Sequence, residues 1–119
     1  MMSYKQGAVV LVPIPFTDQT SSKKRPAIVI SANWYNRLRA DVILAPITST
    51  VRKPIDREEV LIQGSDFRRA GLYKESVVKC GSIIVVRQKL ILRQLGAVPI
   101  GLIKQIHKKV TDVLSGASD

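Results

Sequence analysis

Five short aliphatic runs, separated by proline, glycine and polar clusters, precede a single stretch with helical periodicity. This order of elements is the strongest constraint on the fold. The runs are residues 8–14, 27–31, 41–48, 58–63 and 76–86, and the helical stretch follows Pro99. None of the runs has the length of an ordinary buried helix, and β-branched Val and Ile dominate them, so they read as strands. Several short strands with one terminal helix predict a mainly β fold with a C-terminal helix. Such a fold is a small, strongly bent sheet or open barrel, not a doubly wound parallel sheet.

The punctuation supplies detail. Ala8 to Ile14 is almost wholly aliphatic, and Pro13 and Pro15 place its end at a sheet edge or bulge. Thr17 to Lys24 is polar without periodicity and is expected to be a long loop between the first two strands. Asn33 to Ala40 reads as a polar connection, and Pro54 to Arg57 as a turn. Ser65 to Gly71 predicts one helical turn, capped by Ser65 or Asp66 and ended by Gly71. Ser76 to Val86 reads as one strand kinked at Gly81, and Lys89 to Leu95 as a short helix stopped by Gly96. Pro99 suits the first position of the last helix. Ile103, Ile106, Val110 and Val113 recur there at helical spacing, while Lys104, Lys108 and Lys109 lie away from them.

A chain of 119 residues fits one domain spanning 1–119, with the tail 115–119 expected to fray. Nineteen Lys and Arg against nine Asp and Glu give a net charge of +10. A small domain this basic points to a polyanionic partner, with nucleic acid the first candidate. The lone Cys80 excludes an internal disulfide, fits a reducing compartment, and reads as a buried small residue. No signal peptide or membrane span is recognisable, so a cytoplasmic protein is expected.

Absences narrow the chemistry. One His and one Cys make none of the usual zinc sites, so no metal or other cofactor is expected. There is no phosphate-binding glycine loop and no nucleophile elbow. Isolated His107 reads as structural, which removes a two-histidine ribonuclease mechanism. The scattered acids give no two-metal nuclease motif. Basic and hydroxyl groups remain. Arg25 opens the strand Ala27 to Ser31, and Thr48 closes the strand Asp41 to Thr48. If those strands pair, a guanidinium and a hydroxyl meet in a small volume suited to a phosphate. Pre-aimed donors of this kind stabilise a phosphorane, and the 2′-OH of RNA would itself be the nucleophile. Arg25 is no general base, because its pKa lies above about 12. The plain alternative for Arg25 is a surface cation before a strand. Phe16, Trp34, Tyr35 and Tyr73 are candidate stacking platforms, and equally candidate core or interface residues.

At these same residues the sequence resembles the MazF/PemK toxins. The blocks are Val9–Asp18, Lys24–Ser31 and Asp41–Ser49, then Gly71-Leu72, Ser76–Lys79, Leu90-Ile91 and Leu95-Gly96. The similarity runs from about Lys5 to about Leu114. It implies an SH3-like small barrel of the CcdB/MazF plasmid-toxin type, acting as a homodimer. It implies a metal-independent endoribonuclease that cuts single-stranded RNA at short sequences, leaving 2′,3′-cyclic phosphate and 5′-hydroxyl ends. The implied partner is an acidic MazE-like antitoxin occupying the RNA groove. Arg25 and Thr48 match the catalytic arginine and threonine. Thr17, Asp18, Gln19, Lys23, Lys24, Ser49 and Thr50 fall on the RNA-binding segments. The chain departs from the pattern at Ile84–Gln88, where Val85 and Arg87 replace a hydroxyl and an acid. Two further readings stay open: a non-catalytic nucleic-acid-binding regulator of the same fold, and a CcdB-like toxin that poisons gyrase.

Overall fold

The computed structural model describes residues 3–15 and 22–116. Its strands are β1 (Ala8–Pro15), β2 (Ser22–Val29), β3 (Asp41–Thr48), β4 (Glu59–Ile62), β5 (Ser76–Lys79), β6 (Ile84–Arg87) and β7 (Arg93–Ala97). Its helices are α1 (Asn33–Leu38), α2 (Ser65–Arg69) and α3 (Ile100–Ser115), with a 3₁₀ turn over Gln88–Leu90. Among the described residues, no helix is long and apolar enough to cross a membrane.

The sheet runs β4-β5-β3-β2-β1-β7, with β6 also on β3, and all its pairs are antiparallel. Strands β6 and β7 are consecutive in the chain, yet they border β3 and β1, at opposite edges of the row β6-β3-β2-β1-β7. The short link between them spans that row because the sheet curls. Backbone bonds pin both ends of the link: Gln88 N–H to Ala40 O at 2.9 Å and Leu92 N–H to Leu11 O at 2.9 Å. The result is a half-barrel with a C-terminal helix.

Alternation along the central strands makes two cores, because successive side chains point to opposite faces. One face carries Val10, Val12, Ala27, Val29, Val42 and Leu44, and Ile91 of the closing link joins it, which marks the concave side. The other face carries Val9, Ile28, Ala45, Ile47, Val60, Ile62 and Val78, covered by Leu102, Ile103 and Ile106 of α3. Each fully buried aliphatic side chain of this kind contributes about 1.5–3 kcal/mol.

Several expectations are corrected. Lys23 and Lys24 belong to β2 and not to the preceding loop: the hairpin overhangs the core there, so both lysines are solvated and the strand carries no apolar period. The connection after Ser31 contains α1, whose buried anchor is polar. Asn36 donates to Tyr4 O at 3.0 Å and Ser31 O at 3.1 Å, while its Oδ1 accepts the Ser31 hydroxyl. Helix α2 starts after Gly64 with no side-chain cap from Ser65 or Asp66. The run 76–86 is two strands, because β5 and β6 take successive stretches of one edge of β3. Residues 93–95 are not helical but lie in β7, which pairs with β1 across a bulge. Leu102, off the predicted stripe, is buried, whereas Val113 is exposed.

Gly71 and Gly96 explain two blocks of the sequence at once. A Cβ on Gly96 would lie 2.2 Å from Arg69 O, and one on Gly71, at φ +75°, would lie 2.2 Å from Leu95 O. The end of α2 and strand β7 therefore touch backbone to backbone. Gly96→Ala is expected to cost about 2 kcal/mol or more in urea unfolding, since neither backbone can yield cheaply. Gly101→Ala, in open space on α3, is expected to leave stability unchanged or raise it by about 0.5 kcal/mol.

Candidate active site

The pairing of β2 with β3 matches Ala27 to Pro46, Ile28 to Ala45 and Val29 to Leu44. Extending that register by two residues sets Arg25 opposite Thr48. Directly opposed residues of an antiparallel pair share a face. Arg25 follows Val29 and Ala27 along β2, and Thr48 follows Leu44 and Pro46 along β3. The two therefore continue the concave face beyond the point where its apolar row ends. Both are half-buried. The Thr48 Oγ1 accepts the Thr50 N–H at 3.2 Å, which fixes the oxygen and leaves the hydroxyl proton to donate elsewhere.

Sequence-predicted partners divide into three groups. Lys23 and Lys24 extend from β2 next to Arg25 and are exposed. Ser49 and Thr50 follow Thr48 and are exposed. Thr17, Asp18 and Gln19 lie outside the described residues. His107 donates through Nε2 to Ile30 O at 2.9 Å and so ties α3 to the end of β2. Cys80 is buried, and desolvation pushes its thiol up to about 11, which leaves it inert as a nucleophile.

A second group of residues beside Thr48 carries no signature in the chain. A cleft of about 300 Å³ is lined by Thr48, Thr50, Arg52, Asp56, Glu59 and Lys79. Thr48 pairs with Val77 on β5, and Lys79 lies two residues further along that strand, on the same face. Lys79 in turn pairs with Glu59 on β4. Glu59 is only 7% exposed. Its Oε2 receives the Lys79 ammonium at 2.8 Å and its Oε1 the Asp56 N–H at 2.8 Å, while its own N–H bonds Asp56 O at 3.0 Å. The Lys79 hydrogen bond, then the Asp56 N–H, hold the Glu59 carboxyl below its ordinary value of 4.5, against a burial penalty that raises it. The same bond from Glu59 raises Lys79 above 10.5. These residues escape sequence reading because Glu59 and Lys79 are twenty positions apart in the chain, with no spacing rule to link them.

The Val85 and Arg87 departures lie on β6. Arg87 faces Asp41 across the β3 pairing and makes an ion pair with it at 3.6 Å, while Val85 is exposed.

The fold is thus a half-barrel with one C-terminal helix, and Arg25 and Thr48 stand at the end of its concave face. A family model described as "PemK-like, MazF-like toxin of type II toxin-antitoxin system" matches residues 5–114, and the chain belongs to that family. Solved structures show the same fold. An endoribonuclease in complex with its cognate antitoxin from a mycobacterial species superposes with TM-score 0.77 at 21% identity, covering 95% of this chain and 96% of that one. Mycobacterium tuberculosis toxin MazF-mt6 gives 0.72 at 21% identity, covering 91% and 96%. A MazE-MazF structure from Deinococcus radiodurans gives 0.75 at 21% identity, covering 96% and 98%. No curated protein sequence matches the chain significantly.

The Glu59–Lys79 pair sets a pH dependence. The depressed Glu59 pKa contributes stability that is present above about 4.5 and is lost as pH falls through the lower folded value. The raised Lys79 pKa contributes stability that is present below 10.5 and lost above the folded value. Glu59→Gln is therefore expected to cost about 2 kcal/mol near neutral pH. In urea titrations from pH 7 downward, the gap between variant and wild type should close once the carboxyl is protonated. A gap constant to pH 3 would refute the assignment.

Proposed function

We propose that this chain is the toxin of a type II toxin–antitoxin system and cuts single-stranded RNA as an endoribonuclease. The observation that carries the reading is the β2–β3 register Ala27–Pro46, whose extension by two residues would bring Arg25 to Thr48, within a chain of charge +10. The substrate 2′-OH attacks the adjacent phosphorus and the bond to the 5′-oxygen breaks. The products are a 2′,3′-cyclic phosphate and a 5′-hydroxyl. Water takes the 2′-OH proton as the O–P bond forms, and water returns a proton to the leaving 5′-oxygen. Arg25 holds the charge that develops on the phosphorane oxygens, where its planar fork fits two of them. Thr48, with its oxygen fixed by the Thr50 N–H, donates its hydroxyl proton as a hydrogen bond to one of those oxygens. Lys23 and Lys24 attract the strand, Ser49 and Thr50 line its path, and Thr17, Asp18 and Gln19 are assigned to RNA binding by the resemblance alone. The reaction uses no metal or other cofactor.

The working form in this reading is a homodimer in the cytoplasm, held inactive by an acidic MazE-like antitoxin. Exposed Trp34 and Leu38 on α1 and Leu90 on the 3₁₀ turn support a covered apolar surface. Gln88 ties those two elements together by bonds to Asn36 O at 2.8 Å and Arg39 O at 3.0 Å. An acidic segment would compete with RNA for the basic groove by the same counterion release.

Purified protein with single-stranded RNA in excess EDTA is expected to yield 5′-hydroxyl and cyclic phosphate ends. Arg25→Ala should lower the rate by roughly 100- to 1,000-fold. Uncut RNA, or cutting that survives Arg25→Ala, would count decisively against the reading. For about four phosphate contacts on a single strand, the log-affinity against log-salt slope should be near −3.

A further inference from the structure

The cleft beside Thr48 is poorly suited to phosphate. In a chain of charge +10 it sets two carboxylates, Asp56 and Glu59, against two cations, Arg52 and Lys79. Glu58 also acts electrostatically on Lys79. A second phosphate there would meet these acids at close range. A nucleobase, whose edge alternates donors and acceptors, meets no such penalty. About 300 Å³ is also the small end of ligand pockets and holds one base, not a run of them.

The arrangement behind the lining is ordered. The buried Glu59 carboxylate spends one oxygen on the Asp56 N–H and the other on the Lys79 ammonium. One buried group thus holds the main chain of Asp56, whose exposed side chain is an acceptor, and the donor Lys79, which keeps two further N–H groups for a ligand. The opposite wall is the 48–52 segment, where exposed Arg52 presents a planar guanidinium suited to stacking on a base.

Resting on the endoribonuclease reading above, we propose that this cleft reads a guanine directly flanking the scissile phosphate. Asp56 accepts from N1–H and the N2 amino group, and Lys79 donates to O6. Among the four standard bases only guanine places two adjacent donors next to an acceptor on its Watson–Crick edge, and a carboxylate is the side chain that takes two parallel donors. Glu59 holds the Lys79 ammonium and the Asp56 main chain from behind. Because Thr48 lines the same cleft, the base read there belongs to a nucleotide at the cut.

The test uses binding and cleavage separately. Uncleavable oligo(dU) strands carrying one central guanine, inosine, adenine or cytosine are titrated against wild type, Asp56→Asn, Lys79→Gln and Lys79→Arg. Inosine lacks the N2 amino group. Wild type is expected to bind guanine roughly tenfold or more tightly than inosine. Asp56→Asn should erase that difference, and Lys79→Arg should retain more of the guanine preference than Lys79→Gln. Thermal melting of each variant separates misfolding from lost readout, and a folded Asp56→Asn that keeps the guanine–inosine gap overturns the proposal. Equal wild-type affinity for all four strands overturns it as well, whether or not the protein cuts RNA. The matching ribo-oligonucleotides test cleavage: cuts with no flanking guanine defeat the base assignment alone. A chain that prefers guanine but never cuts would defeat the ribonuclease reading and leave the pocket standing.

Discussion

Strand β3 is the constraint on which the rest of the molecule depends. One of its edges pairs with β2 through residues 44–46, and the other is divided between β6 over residues 41–44 and β5 over residues 47–48. Sharing one edge between two strands divides the sheet between Leu44 and Ile47. The β6 side curls back to form the half-barrel, and the β5–β4 side packs Val60, Ile62 and Val78 into the helix-covered core. The last residue of β3 pairs with β5 and lines the cleft of Glu59 and Lys79. Extension of the β2 register points Arg25 toward the same residue. A continuous flat sheet would have kept these groups in separate neighbourhoods.

Packing and chemistry are joined through alternation. The concave face stays apolar along Val29–Ala27 and Leu44–Pro46 and turns polar one step later at Arg25 and Thr48. The same period that builds the core thus sets which face the proposed catalytic pair shares. The helix-covered face carries the main hydrophobic load, with α3 held by Leu102, Ile103 and Ile106. The functional face is thereby left free of the helix. The backbone contacts of Gly71 with Leu95 and of Gly96 with Arg69 and Ala70 hold the end of α2 against β7 and explain why glycine stands at both places.

Much of this was legible in the chain. Ala8 to Ile14 and Asp41 to Thr48 announced strands by aliphatic density, and Pro99 with its following period announced the last helix. Arg25 and Thr48 were recognisable because each closes or opens an apolar run, which puts a polar group at a strand end. Other elements were hidden for physical reasons. Helix α1 is held by a buried Asn36 and exposes Trp34 and Leu38, so it carries no apolar stripe toward the core. Strand β7 has only one paired neighbour and is mostly exposed, so its residues read as polar and helical. Residues 22–24 form a strand beyond the core, where no burial period is imposed.

The residue pattern alone determined a small bent sheet with one helix and a net charge of +10, and it put an arginine and a threonine at the ends of apolar runs. Those properties are local: they follow from composition, period and what stands at the ends of runs. Only the tertiary structure decided that β3 shares its edge between two strands, and that Glu59 locks Asp56 and Lys79 beside Thr48. Contacts between residues tens of positions apart leave no spacing in the chain. They arise when the register of three strands is fixed together by which face is buried.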